Sequence, residues 1–479
     1  MAVEQVAAVD LPLRICGEDV RTGKWIEVRS PQTGELLGRA AKAGPPEVER
    51  AIAGAAESFR ETREMPAYRR ADVLRAIASD LRAQSSRYVE TIVGEAGKPR
   101  QYAEGEFARG LTTLTLAAEE ATRIRGEVLP VDIEPRGEGA LCAVRRFPVG
   151  PVTAITPFNF PLNLVLHKVA PALAAGNPVI LKPSPRTPMT ADLLARSVEK
   201  AGWPRNAFSL IHADPDVARP LWADDRIRCV SFTGSDAVGW KIKQEASRKK
   251  VILELGGNAA AIVCADADPE ASAKKLAVAA FAYSGQVCIK AQRIFVAREI
   301  WRPFLDAFLA ASRQIEPGDP SDPKTVLGPM IDEESARRVE EWVEEARRNG
   351  ARILLEARRD GARLWPVVAT ETPRGSRIRD REVFGPVATV EPFDTLEEAI
   401  AGANDSDYGL QASVFTRDIG RTLQAFDALE VGAVIVNDAP TLRIDNFPYG
   451  GVKASGFGRE GVRYAIEEMT EPRVLFIRN

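Results

Sequence analysis

Apolar positions recur at three- and four-residue spacing through residues 46–125, in PEVERAIAGAAESF, YRRADVLRAIASDLRAQ and GEFARGLTTLTLAAEEATRI, with charge on the opposite face. That period predicts amphipathic helices. In ALCAVRRFPVGPVTAIT, residues 140–156, β-branched residues, Gly and Pro replace the helical period and predict strands around a turn. Strand-like and helix-like segments then alternate: PVTAIT, the helix PLNLVLHKVAPALAAG closed by Gly176, NPVILK, TADLLARSVEKAG, FSLIHA, a polar helix after DPDV, RCVSFT, AVGWKIKQEASRKK and KVILELGG. Near-continuous apolar runs such as PVILK and VILEL are expected of parallel strands covered on both faces by their connecting helices. A second α/β set runs from about residue 255 to 450 and includes PEASAKKLAVAAFAY, RIFVA, ESARRVEEWVEEARRNG and GAVIVN. The pattern predicts an α/β protein with a nucleotide-binding type of sheet, without repeats or a low-complexity linker.

Composition narrows the class. The 479 residues are 45% hydrophobic and 27% charged, a soluble globular balance with length for about two to four domains. Basic and acidic residues number 64 and 67, a formal charge of −3 with no basic tail, which argues against nucleic acid or an anionic membrane as partner. The five cysteines are widely spread with no CxxC pair, and only His167 and His212 are present to complete a metal site. Reduced thiols and no metal are expected. The segment MAVEQVAAVDLPLRICGEDV has no basic region followed by an apolar core, and no run of 18 apolar residues occurs, so the cytoplasm is the expected compartment.

Four positions carry candidate chemistry. TGSDAVG, residues 233–239, lies between a strand and a helix, where Gly234 lets backbone N–H groups approach a pyrophosphate, although an ordinary turn reads the same way. Lys182 ends the strand VILK, at the edge where open α/β sheets bind ligands; a solvated strand end is the plain alternative. Glu254 ends VILE before two glycines, and partial desolvation there would raise its pKa and make it a general base. Cys288 follows Ser-Gly-Gln, outside any periodic apolar run, unlike Cys264 in AAAIVC. A free cysteine is ordinarily a small buried hydrophobe, but that context favours a nucleophile.

Taken in order, ITPFNFPLN, ILKPS, SFTGS, ELGGN, GQVC, EVFGPV and PYGGVKASGFGRE resemble the motifs of the aldehyde dehydrogenase superfamily over nearly the whole chain, with Cys288 placed 34 residues after Glu254. The resemblance implies Cys288 as the nucleophile that forms a thiohemiacetal, Asn159 as an oxyanion donor and Glu254 as the base that activates water against the thioester. Lys168 and Glu460 match a proton-relay pair. Thr156, Pro157, Lys182, Gly234, Ser235, Glu382 and Phe384 match positions around the dinucleotide, and Ser184 and Arg186 after the strand-end lysine are candidates to favour NADP. Such chemistry needs no histidine, because a thiol is intrinsically nucleophilic.

NAD or NADP is the implied cofactor. Many NAD-preferring members carry a glutamate three residues after the strand-end lysine; here Pro185 stands there, which removes a charge that would repel a 2′-phosphate. NADP is therefore expected to be tolerated, with dual specificity open. TLRIDNFPYGG and EGEFARG resemble the substrate loop and helix of members acting on small polar or anionic aldehydes of the lactaldehyde, glyceraldehyde 3-phosphate or succinic semialdehyde type. Arg109, Phe160 and Arg443 are the candidate substrate contacts. Against phosphate stands Val287, where some phosphate-specific members have arginine.

The implied architecture is a Rossmann-like cofactor domain (1–123 and 145–254), an α/β catalytic domain (255–455) and a small β oligomerisation arm (124–144 and 456–479). An arm of two distant apolar strands exposes sheet edges that a second copy would pair, so a homodimer or homotetramer is expected. A CoA-acylating dehydrogenase, a cysteine hydrolase and a catalytically silent binding protein are the competing readings. Glu254 argues against the first and third, and the TGS and EVFGP motifs against the second.

Overall fold

Five parallel strands form the centre of the first sheet, in the spatial order Lys250–Glu254, Cys229–Thr233, Val152–Ile155, Val179–Lys182 and Phe208–Leu210, in a computed structural model that describes residues 9–478. The first of these strands in the chain thus lies beside the fourth. Chain direction switches there, and a crevice opens beyond the carboxyl ends of the two strands. Short antiparallel strands close the edges: Gly456–Phe457 on one side, Leu13–Ile15 and Glu18–Val20 on the other. Every residue of Val152–Ile155 and Cys229–Thr233 is buried, as their unbroken apolar reading requires.

The helix Asn163–Ala175 is buried at all its positions, which explains why no polar face is visible in NLVLHKVAPALAA. The predicted helices appear as Pro45–Glu64, Ala67–Ala83 and Arg100–Ala121. Ser85–Ala96 is a further helix that the period left unassigned, with Tyr88, Val89, Ile92 and Val93 on its buried face.

A second sheet of seven strands runs Arg352–Leu355, Val367–Thr370, Val387–Phe393, Arg293–Ala297, Ala260–Val263, Gln411–Phe415 and Ala433–Val436, parallel except for the first. A third, antiparallel sheet joins Glu127–Leu129, Leu141–Pro148 and Thr470–Ile477. Its middle strand runs on past residue 144 to Pro148, while Gly456–Phe457 belongs to the first sheet rather than to this arm. Val128, Val474, Leu475 and Phe476 are exposed on it. Residues 1–8 of the N-terminal stretch, and Asn479 of the expected arm, lie outside the described residues. Among the described residues no helix is long and apolar enough to cross a membrane, no cluster of acidic, His and Cys side chains is set to hold a metal, and the five cysteines are unpaired.

Candidate active site

Strand register brings the candidate residues to one level. Thr233 pairs with Glu254 across neighbouring strands, and Ile155 pairs with Lys182, so all four segments end together beside the crevice. Beyond Ile155 the chain runs through Thr156, Pro157 and Phe158 to Asn159, which is buried.

Cys288 reaches the same place from the second α/β set. The helix Pro269–Phe281 ends in a tight turn in which Tyr283 and Ser284 adopt φ of 51° and 58°. These are left-handed conformations that side-chain-bearing residues adopt only when neighbours hold them. The holding bonds are present: Ser284 Oγ donates to the Gly328 carbonyl at 2.6 Å, and Gln286 Oε1 accepts from the Ile331 N–H at 2.8 Å. Asn159 Nδ2 donates to the Gln286 carbonyl at 2.9 Å, tying the two loops together. A methyl group on Gly257 would collide with the Cys288 carbonyl, so the second glycine of ELGGN is what allows the strand end to approach the thiol loop.

The half-buried Cys288 Sγ lies 3.4 Å from Glu254 Oε1 and 3.5 Å from the Tyr449 hydroxyl. Glu254 is 1% exposed, not the solvated strand-end carboxylate of the plain reading, and its Oε2 has no partner. Burial, reinforced by the Glu460 carboxylate, raises its pKa against the pull of Arg443 and Lys168. Glu460 goes the other way: burial opposes ionisation, but Lys168 at 2.6 Å and Arg443 at 3.2 Å hold its carboxyl below the usual range. Two buried carboxylates thus have environments that push them apart, the arrangement that separates a general base from a permanent anion. Burial first, then Glu254, raises the Cys288 thiol well above its ordinary value.

A cavity of about 640 Å³ opens from Cys288 and Asn159 toward Gly234, Ser235, Glu382 and Phe384. Glu382 Oε1 accepts from the Gly257 N–H at 2.9 Å, and burial pushes its carboxyl up to about 7 against that bond. Phe384, at φ 46°, meets Phe158 edge-on with ring centroids 5.9 Å apart. Ser235 precedes the helix Asp236–Glu245, whose N-terminus therefore opens on the cavity, and Gly239 gives that helix room to pack against Leu255. Thr156 Oγ1 and Thr233 Oγ1 are buried donors without partners. A helix N-terminus, an aromatic wall, a carboxylate and unpaired hydroxyls fit a dinucleotide. Lys182, whose pKa burial lowers, and Ser184, which accepts from the Arg186 N–H at 3.1 Å, end the neighbouring strand. Arg186 is not brought into this cavity: its guanidinium pairs with Asp332 at 2.5 Å and lines a separate cleft.

Of the expected substrate residues, Arg443 is 9% exposed and its guanidinium lies 3.6 Å from the Tyr449 ring centroid, with Nε lacking a partner. Arg109 is engaged by Asp445 through two bonds of 3.1 and 2.7 Å. Asp445 also accepts from His167 Nε2 at 2.9 Å and Asn163 Nδ2 at 3.3 Å, so it fastens the Arg443 loop to two helices. Phe160 covers the fully buried Lys98, 3.6 Å from the ring centroid, whose ammonium burial lowers to about 8 and which pairs with Glu106 at 2.5 Å. Glu106 in turn caps the Leu162 and Asn163 N–H groups. Tyr449 and Asp445 make contacts across 161 and 336 residues that no local spacing marks, and Lys98 and Glu106, although only 8 residues apart, carry no signal that separates a buried ion pair from a solvated one.

The chain belongs to the aldehyde dehydrogenase family, whose model matches residues 19–475. It is 41% identical over 466 residues to 3-sulfolactaldehyde dehydrogenase of Priestia megaterium, with 97% of each chain covered. Its structure resembles that of aldehyde dehydrogenase 21 from Physcomitrella patens in complex with the reaction product succinate, with a TM-score of 0.96, 38% identity and 99% of each chain covered. A further neighbour is NADP-dependent glyceraldehyde-3-phosphate dehydrogenase from Bacillus halodurans complexed with NADP, with a TM-score of 0.95, 33% identity, and 98% and 99% of the two chains covered.

Proposed function

We propose that the enzyme oxidises a short anionic aldehyde to its carboxylic acid through a covalent intermediate on Cys288, with NAD or NADP as the oxidant. The observation that carries this reading is the 3.4 Å approach of a buried, otherwise unpaired carboxylate to the one thiol that faces the cavity. The thiol proton passes to Glu254, and the sulfur bonds to the aldehyde carbon while the carbonyl electron pair moves to oxygen. The Asn159 amide has one N–H engaged by Gln286 and a second free for that oxyanion. When held there, NAD or NADP would supply the hydride acceptor, and loss of hydride from its carbon would turn the thiohemiacetal on Cys288 into a thioester. Glu254 releases the thiol proton to solvent through the cavity, and the restored carboxylate takes a proton from water, whose oxygen displaces the sulfur as thiolate and releases the acid. Lys168 and Glu460 bias that carboxylate through charge.

Pro157, Gly234, Ser235, Glu382 and Phe384 are the groups assigned to the dinucleotide along the cavity, with Thr156, Lys182 and Ser184 assigned to it at the neighbouring strand ends. The cofactor of the Bacillus halodurans neighbour supports NADP, and Pro185 leaves the 2′-phosphate unopposed. Hydrolysis is favoured over transfer to CoA, because a thiol acceptor needs no buried base.

Anion preference rests on the buried Arg443 with its spare Nε donor and on the relatives, whose substrates or products carry sulfonate, carboxylate or phosphate on short chains. Val287 beside the nucleophile weighs against phosphate. The exposed apolar arm supports a homo-oligomer, dimer or tetramer. The test is formation of NADH or NADPH from an aldehyde panel by wild type and Cys288→Ala. The variant is expected to bind NADPH normally by fluorescence titration and to turn over nothing; substantial turnover would overturn the assignment.

A further inference from the structure

The Tyr449 side chain is 3% exposed, and among the described residues its hydroxyl has a single hydrogen-bond partner, the Cys288 sulfur at 3.5 Å. A buried phenol packed only for its ring would leave that hydroxyl unsatisfied, at a cost in stability that phenylalanine would avoid. Its position is fixed from the backbone: the Tyr449 N–H donates to the Glu460 carbonyl at 3.0 Å, and the Glu460 N–H donates back at 2.6 Å. The Arg443 guanidinium lies over the ring face, 3.6 Å from its centroid. The thiol has one proton, and the geometry gives that proton to Glu254 Oε1. The contact with Tyr449 must then run the other way, O–H toward sulfur.

We propose that Tyr449 is a catalytic residue that donates its hydroxyl hydrogen to the Cys288 thiolate, holding the negative charge that Glu254 creates when it removes the thiol proton. The phenol keeps its own proton throughout: the S–H bond breaks, the proton goes to Glu254, and the sulfur lone pair is retained until it bonds to the aldehyde carbon. The charged groups facing Cys288 are Glu254, Glu382 and Arg443, two of them anions that oppose the thiolate. A neutral donor at the sulfur offsets that opposition without attracting the substrate's own anion. Burial raises the Tyr449 phenol well above its ordinary value, which keeps it in the donating form. Arg443 therefore acts on the nucleophile through the Tyr449 ring in addition to any contact with substrate.

This inference rests on Cys288 being the nucleophile, and the test separates the two. Alkylation of Cys288 by iodoacetamide is followed against pH in the full-length protein by peptide mass spectrometry, which distinguishes it from the half-buried Cys16. In Tyr449→Phe the midpoint of the alkylation profile is expected to move upward by about one unit, the worth of one hydrogen bond to a charged group. The first-turnover rate of NAD(P)H formation is expected to fall about tenfold, with NADPH affinity and unfolding midpoint held near wild type. A purely packing role predicts superimposable alkylation profiles and an unchanged first turnover, and either result overturns the proposal. Should Tyr449→Phe be poorly folded, Tyr449→Trp, which returns an N–H donor, is expected to recover part of the profile shift; no recovery in a folded Trp variant counts against the proposal. Failure of the nucleophile assignment itself would show differently, as turnover by Cys288→Ala.

Discussion

The Glu254 carboxylate lies 3.4 Å from the Cys288 sulfur, although one residue closes a strand of the first sheet and the other follows a left-handed turn that leads into the central strand of the second. The contact therefore exists only when both α/β units are assembled. Gly257 makes the approach possible, and the Asn159–Gln286 bond sets it.

That relationship fixes a pH dependence. Burial and the Glu460 carboxylate raise the Glu254 pKa, so its protonated form persists above the ordinary carboxylate range, and that form cannot take a proton from water. The deacylation rate should therefore climb as pH rises through the raised value and level off above it. Rapid-mixing measurements of thioester hydrolysis against pH are expected to lose this climb in Glu254→Gln. A climb of equal size in the variant would assign the limb to another group.

Pro185 carries a prediction about cofactor choice. Placing a glutamate there is expected to lower the NADP-to-NAD ratio of kcat/KM by repelling the 2′-phosphate. The ratio is the quantity to compare, since loss of proline also shifts the local backbone. An unchanged ratio would move the adenosine ribose away from this loop.

The two arginines are expected to separate. Arg443→Leu should lower kcat/KM for sulfolactaldehyde and succinic semialdehyde by about ten- to a hundredfold more than for propanal, the worth of a charge-assisted hydrogen bond. Arg109→Leu leaves Asp445 short of its bidentate partner and should loosen the loop for every substrate alike. Anion-selective loss in Arg109→Leu would instead make it a direct contact.

Lys98 is expected to matter for folding. Lys98→Met leaves Glu106 buried with no counter-charge and should cost about 3–5 kcal/mol in urea unfolding. Adding Glu106→Gln should restore much of that loss. A single variant as stable as wild type would mean that Glu106 already shares its charge through the Leu162 and Asn163 N–H groups.

The sheet strands and long helices were legible because their burial is local: VTAI and CVSFT are apolar throughout and sit wholly inside. Glu254, Cys288 and Asn159 were legible through motif resemblance, whereas their burial was not, since a strand-end carboxylate reads the same whether solvated or enclosed. Arg186 follows the strand-end lysine as a candidate for a 2′-phosphate, yet Asp332 pairs with its guanidinium from a distant loop. Tyr449 and Asp445 stand in TLRIDNFPYGG, but their contacts with Cys288, Arg109 and His167 exist only in the folded chain. The short edge strands Leu13–Ile15 and Glu18–Val20 are too brief for any period to show.

The most direct test of the central claim is to mix Glu254→Gln with NADP and an anionic aldehyde and to weigh the protein by intact and peptide mass spectrometry within the first turnovers. At a pH alkaline enough to ionise the thiol without its base, hydride loss without hydrolysis should leave the acyl group of the substrate on Cys288, alongside a burst of NADPH followed by slow turnover. An unmodified Cys288 in a variant that still turns over at the wild-type rate would contradict the account.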